Sequence, residues 1–206
     1  MNDFLYRLAA VGVVILSASF HEAAHAYAAD KMGDPTAKMM GRMTLNPIKH
    51  ISIIGSIVVP LVLTLIGSRF LFAWAEPVPV NPGNFHDRKK GEIVVSAAGP
   101  LANVGLFIIS GLFIRYLFTL RAPDETLVRF IFLIFQINVM LCFFNLLPIP
   151  PLDGSHILEQ FLSYRAKNIY HAIAPFSFIL IILLIQVISP FIFFMINFLA
   201  KIIIGV

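Results

Sequence analysis

The feature that most constrains this chain is its succession of long apolar runs, over residues 4–29, 92–120, 130–147 and 169–206. A helix needs about 20 predominantly apolar residues to cross a bilayer, and several of these runs approach or exceed that length. Composition agrees: 59% of the residues are hydrophobic and only 13% are charged, whereas a soluble domain carries charge on about a quarter of its residues. The chain therefore reads as an all-α integral membrane protein, a multi-span helical bundle of about 4–6 spans. The net charge of +4 is scattered through loops, so it bears on topology and gives no footprint for nucleic acid, which is excluded as a partner. Cys142 is the only cysteine; it rules out an intramolecular disulfide and reads as a small core residue in mid-span.

Local signals divide the chain. The first helix is expected over residues 2–31, stopped by Gly33-Asp34-Pro35. Arg7 followed by an apolar stretch and Ala24-His25-Ala26 loosely resembles a cleaved signal, but the charged and imidazole groups just before that site favour a retained helix. In residues 36–50, Met39, Met43 and Leu45 roughly alternate with polar residues, which suggests a short strand or hairpin outside the hydrocarbon. Residues 51–66 are apolar but short and contain Pro60. The stretch after them carries Trp74, Glu76 and prolines at 77, 79 and 82, and cannot be a regular spanning helix. A short re-entrant or β segment is therefore expected between the first helix and the span carrying Ala98-Gly99-Pro100. Such backbone is tolerated at membrane depth where it is buried in protein or lines a cavity. Residues 155–168 suggest an interfacial helix, and residues 169–188 and 191–206 one or two final spans parted at Ser189-Pro190. The whole chain, 1–206, is taken as one polytopic domain, with a core over about 10–165 and C-terminal spans over 169–206.

Within the first apolar run lies His21-Glu22-Ala23-Ala24-His25. Residues four apart share a helix face with Cβ atoms about 5–6 Å apart, so His21 and His25 can offer two imidazoles to one metal ion. Glu22 stands where its carboxylate reaches a water on that ion. Burying these groups in an apolar helix is costly unless they are paired or ligated; the alternative is a polar notch in which the histidines hydrogen-bond to neighbouring helices. A catalytic zinc usually has three protein ligands and one open position. The third ligand is sought among Asp153, His50, His86, His156, His171 and a few acids. Asp153 is favoured because it follows a membrane span and sits between a proline-broken backbone and Gly154. Basic residues crowd into 31–49, 88–90 and 165–167, which the positive-inside rule assigns to the cytoplasm. His21, His25 and Asp153 then all lie toward that side.

Three motifs occur in order: His21-Glu22-Ala23-Ala24-His25, Ala98-Gly99-Pro100 with Asn103, and Asn145-Leu146-Leu147-Pro148-Ile149-Pro150-Pro151-Leu152-Asp153-Gly154. Together they resemble the site-2 protease family of intramembrane zinc metalloproteases, in its short branch without PDZ or CBS domains, over roughly residues 10–165. The resemblance implies His21, His25 and Asp153 as ligands of one Zn2+ per chain and Glu22 as catalytic base. It implies Asn145 as the group that binds the substrate backbone or the oxyanion. The implied reaction is regulated intramembrane proteolysis: hydrolysis of a peptide bond in or next to a transmembrane segment of a single-span or other membrane protein. The implied setting is the lipid bilayer of the cell membrane, multi-pass, with the active site toward the cytoplasm. Ser52-Ile53 and Glu76 depart from the pattern of the branch, outside the zinc ligands. The extended residues 77–82 are then either an edge that pairs with an opened substrate or a rigid connector, and Asn103 is either a packing or a functional group. Three other classes fit the same residues, a membrane metal-ion transporter, a non-catalytic membrane scaffold and a membrane-embedded metallohydrolase of soluble substrates; a transporter has little need of the Glu22 carboxylate.

Overall fold

The computed structural model describes residues 3–66, 74–120 and 123–205. Among them, four helices are long and apolar enough to cross a membrane: Leu5–Met32, Arg88–Leu117, Glu125–Asn145 and Gln186–Ile203. They belong to α1 (Asp3–Met32), α4 (Arg88–Leu117), α5 (Glu125–Asn145) and α8 (Ser177–Ile203). Shorter helices lie between them: α2 (Thr36–Met39), α3 (Val59–Leu65), α6 (Asp153–Glu159) and α7 (Tyr164–Ile173). The multi-span helical bundle expected from hydropathy is the observed architecture.

α4 is the central helix, packing against α1, α5, α6 and α8. Its start is capped by Asp87, whose side chain accepts from the Lys90 N–H, satisfying one of the free donors of a helix N-terminus. One apolar core joins α4, α5 and α8 through Phe107, Ile114, Phe135, Val139, Cys142, Ile192 and Ile196. Cys142 thus packs as the core residue expected of it. A second core joins Ala10, Val13 and Val14 of α1 to Leu133 and Ile137 of α5. Near the C-terminal end of α1 the contacts are made by small residues, Ala26, Ala28 and Ala29, against Val78, Phe85 and Val95. Small side chains let helices and loops approach closely where lipid removes much of the hydrophobic drive between them.

Two local expectations are corrected, and one left open is decided. Residues 36–50 form no strand: α2 is followed by a turn at Gly41, with φ of 66°, and a 3-10 turn over Pro47–Lys49. Asp34 decides this, because its carboxylate accepts from the Thr36 N–H and starts a helical turn, while the alternating apolar residues find no partner strand. Among the described residues, β pairing is a single antiparallel bridge, Ile51 with Ala75. The interfacial segment is two helices instead of one, since Ser163 caps α7 by accepting from the Ala166 N–H. Of the one or two final spans expected, the structure has one helix, because α8 runs through Pro190; a proline removes one internal hydrogen bond, which a long spanning helix absorbs.

The segment between α1 and α4 is the part that shapes the site. After a π-helical turn, Ile53–Val58, and α3, the chain returns in extended form from Trp74. The N–H groups of Trp74, Glu76 and Val78 bond to the Gly55 carbonyl at 3.1 Å, the His50 carbonyl at 2.8 Å and Glu22 Oε2 at 2.9 Å. Arg42 grips the same stretch, donating to the Pro77 carbonyl at 3.0 Å and pairing with Glu76 at 2.8 Å. Asp34, fully buried, closes the far end by accepting from the Asn81 N–H at 2.7 Å and from Asn84 Nδ2 at 2.8 Å.

Candidate metal centre

His21 and His25 lie on one face of α1, and Asp153 begins α6. The structure brings these three distant positions together: one ligand atom from each lies within 4.8 Å of the others. Asp153 Oδ2 is 3.1 Å from His21 Nε2, and Oδ1 is 3.3 Å from His25 Nε2. The two Nε2 atoms face each other at 2.9 Å. Both histidines are buried.

The outward hydrogen bonds fix what these atoms present. His25 Nδ1 lies 2.7 Å from the Val95 carbonyl; a carbonyl can only accept, so Nδ1 carries a proton, and in the neutral ring Nε2 is then a bare lone pair. His21 Nδ1 lies 2.7 Å from Asn103 Oδ1, with the same result at its Nε2. Asp153 Oδ2 is buried and has no hydrogen-bond partner, so its approach to His21 is a close polar contact and not a hydrogen bond. With both rings neutral, three electron-rich atoms aimed at one another need a cation between them. Two neutral imidazole nitrogens and one carboxylate oxygen are a donor set that suits zinc.

Two glycines make room for this cluster. A Cβ on Gly99 would stand 2.4 Å from His25 Nε2 and 2.5 Å from His21 Nε2. A Cβ on Gly154 would stand 2.1 Å from the Leu146 carbonyl oxygen. The first keeps α4 from filling the space between the histidines. The second lets the residue after Asp153 fold back onto the end of α5.

A cavity of about 360 Å³ opens beside the cluster, lined among others by His21, Glu22, His25, Val78, Asn145 and His156. Glu22 and Asn145 therefore share the cavity with the three candidate ligands, although Asn145 Nδ2 is engaged with the Leu141 carbonyl of its own helix at 2.9 Å. Of the other histidines, His156 lines this cavity without joining the cluster, and the rest stay apart. His50 is buried with Nε2 2.8 Å from the Thr44 carbonyl, His171 pairs with Glu159 at 3.2 Å, and His86 and His156 are exposed. Sequence reading missed Asp34, Asn138 and Ser17. Each is a polar residue at a helix end or on a helix, a pattern that packing alone also produces.

Residues 77–82, expected to be either an edge for substrate or a rigid connector, have a particular character. In an extended chain successive N–H groups alternate sides, and those of 74, 76 and 78 are already used within the protein. Pro77 and Pro79, on the other side, carry no N–H. The outer edge thus offers no donor at either position.

A polytopic helical membrane protein with a buried His-His-carboxylate cluster beside a glutamate has the make-up of a membrane metalloprotein, and the comparisons give its class. Residues 114–186 match the family described as Peptidase family M50. YwhC of Bacillus subtilis, named as a candidate zinc metalloprotease, is 40% identical over 179 residues, covering 81% of this chain and 78% of that protein. Rip2 of Mycolicibacterium smegmatis and Rip2 of Mycobacterium tuberculosis, named in the same way, are each 29% identical. The first alignment covers 89% of this chain and 71% of the relative, and the second 85% and 65%. No solved structure matches the chain. The chain belongs to peptidase family M50, the site-2 protease family, and is a zinc metallopeptidase of the membrane.

Proposed function

We propose that this protein is an intramembrane protease that cleaves a peptide bond in or next to a transmembrane segment of a membrane-protein substrate, the chemical step of regulated intramembrane proteolysis. His21, His25 and Asp153 hold the zinc, Glu22 is the general base, and Asn145 binds the opened substrate backbone or the oxyanion. The observation that carries this reading is the convergence of the three ligand atoms, with Glu22 on the same cavity, inside a bundle of membrane-spanning helices.

Zinc supplies Lewis acidity when bound, acidifying a water molecule and polarising the scissile carbonyl. Glu22 accepts the proton of the attacking water and returns it to the leaving amine. Its Oε2 is held by the Val78 N–H at 2.9 Å, which orients the carboxylate before substrate arrives. The imidazoles keep Nε2 unprotonated through their bonds to Asn103 and Val95. Asn145, eight residues before Asp153 in sequence and on the same cavity, offers its amide to a peptide group freed when the substrate helix unwinds.

The test is cleavage of a single-span substrate in proteoliposomes by the zinc-loaded protein and its Glu22→Gln variant. The variant is expected to keep its zinc and lose about 10²–10⁴-fold in rate. Zinc transport that survives Glu22→Gln, with no cleavage by either form, would assign the site to a transporter instead. The active site is proposed to face the cytoplasm, because basic residues gather in 31–49, 88–90 and 165–167. A single cysteine placed at Lys49, in a Cys142→Ala background, should react with an impermeant thiol reagent in inverted vesicles and not in intact cells. The opposite labelling would reverse the topology.

A further inference from the structure

The hydrogen bond that fixes His21 is itself fixed from further away. Asn103 and Asn138 are both fully buried, on α4 and α5. Asn138 Nδ2 donates to the Ile134 carbonyl at 2.9 Å and to Ser17 Oγ at 2.9 Å. Asn103 Nδ2 donates to Asn138 Oδ1 at 2.9 Å, and Asn103 Oδ1 faces His21 Nδ1 at 2.7 Å.

The polarity of this chain is set at one end. A backbone carbonyl has lone pairs and no proton, so the Asn138 atom beside Ile134 must be the amide nitrogen. Its oxygen then faces Asn103 and can only accept, which turns the Asn103 nitrogen toward it. The Asn103 oxygen is left for His21, and it can only accept the Nδ1 proton. Reversing any one amide would set two donors or two acceptors against each other in a dry site, a cost comparable to a lost buried hydrogen bond. We infer that Asn103 and Asn138 are positioning residues, a polarity relay that transmits the direction of the Ile134 carbonyl to His21 and holds its Nε2 free for the metal. Ser17 accepts from Asn138 from the side and is not needed to set the direction. The inference rests on the zinc-ligand reading of His21 given above.

The relay is tested by metal affinity of the detergent-purified protein, measured by competition with a chelator for zinc and by the d–d absorption of cobalt(II), alongside thermal stability. Asn138→Leu deprives Asn103 of its acceptor and should weaken both metals by about 10–100-fold, as loss of an outer partner of a ligating histidine does elsewhere. Asn138→Asp, protonated when buried without a counter-charge, still accepts from Asn103 and donates to Ile134. It should therefore keep near-native affinity and cobalt spectrum at reduced stability. Ser17→Ala should do the same. Affinity that falls in step with stability in Asn138→Asp and Ser17→Ala would overturn the relay, even if Asn138→Leu does not fold. Native affinity in a folded Asn138→Leu would overturn it too. A native protein that binds neither metal would instead remove the zinc-ligand reading on which the relay depends.

Discussion

At the scale of single residues, the candidate metal centre is defined as much by what is missing as by what is present. Gly99 has no side chain at the point where α4 faces His21 and His25, and a methyl group there would lie within 2.5 Å of both Nε2 atoms. Gly99→Ala is expected to abolish zinc binding while the protein still folds, a loss read by metal analysis beside circular dichroism. Asp34 is the second decisive residue, outside the spans. Burial pushes its carboxyl up, but hydrogen bonds from Thr36, Asn81 and Asn84 win and hold it below its ordinary value of 3.8. A carboxyl depressed in the folded state adds stability that is fully present above the unfolded value and is lost as pH falls through the folded one. Asp34→Asn should therefore cost about 2–3 kcal/mol at neutral pH. The gap between native and variant melting temperatures in detergent should close below about pH 4. A gap that persists into acid would show that Asp34 acts through its shape and not its charge.

At the scale of elements, the extended segment after α3 acts as a wall of the cavity beside the candidate metal centre and as a restraint on Glu22. Its inward N–H groups are spent on Gly55, His50 and Glu22, and prolines occupy positions 77 and 79 on the opposite side. An edge that lacks donors at positions 77 and 79 pairs poorly there with an incoming strand, so an unwound substrate has stronger reason to bond to side chains such as Asn145 than to this stretch. Val78→Pro removes the donor to Glu22 and nothing from the zinc ligands. It should leave zinc content native and lower the cleavage rate by roughly 10²-fold, the scale of a misplaced catalytic group. An unchanged rate would mean that Glu22 is oriented by other contacts.

At the scale of the whole molecule, the candidate metal centre and the main apolar core are separate parts of one bundle. The centre joins α1, α4 and α6, whereas the core of Phe107, Phe135, Val139, Ile192 and Ile196 joins α4, α5 and α8. Phe135→Ala should lower thermal stability by less than the roughly 3–5 kcal/mol of an aqueous core, because lipid already solvates apolar side chains in the separated helices. Zinc affinity should not move. A matching loss of affinity would show that the two parts are coupled through α4.

Several of these features were open to sequence reading for one physical reason: they are local. Hydropathy over some twenty residues identifies a spanning helix without knowledge of its neighbours, and the regions of α1, α4 and α5 follow from it. The spacing of His21 and His25 on one helix face is equally local. Other features depend on partners far along the chain. Asp34 bonds to residues 47 and 50 positions away, and Asn138 to one 121 positions away; each alone looks like an ordinary polar residue. The failed strand over residues 36–50 has the same origin, since alternation makes a strand only where a partner is present to complete the ladder. The sequence by itself determined the membrane class, the principal spans and the residues able to bind metal. Only the tertiary structure decided that Asp153 meets the two histidines, that Val78 restrains Glu22, and which imidazole nitrogens are free. Those depend on the direction of hydrogen bonds between helices, and direction exists only once the helices have packed.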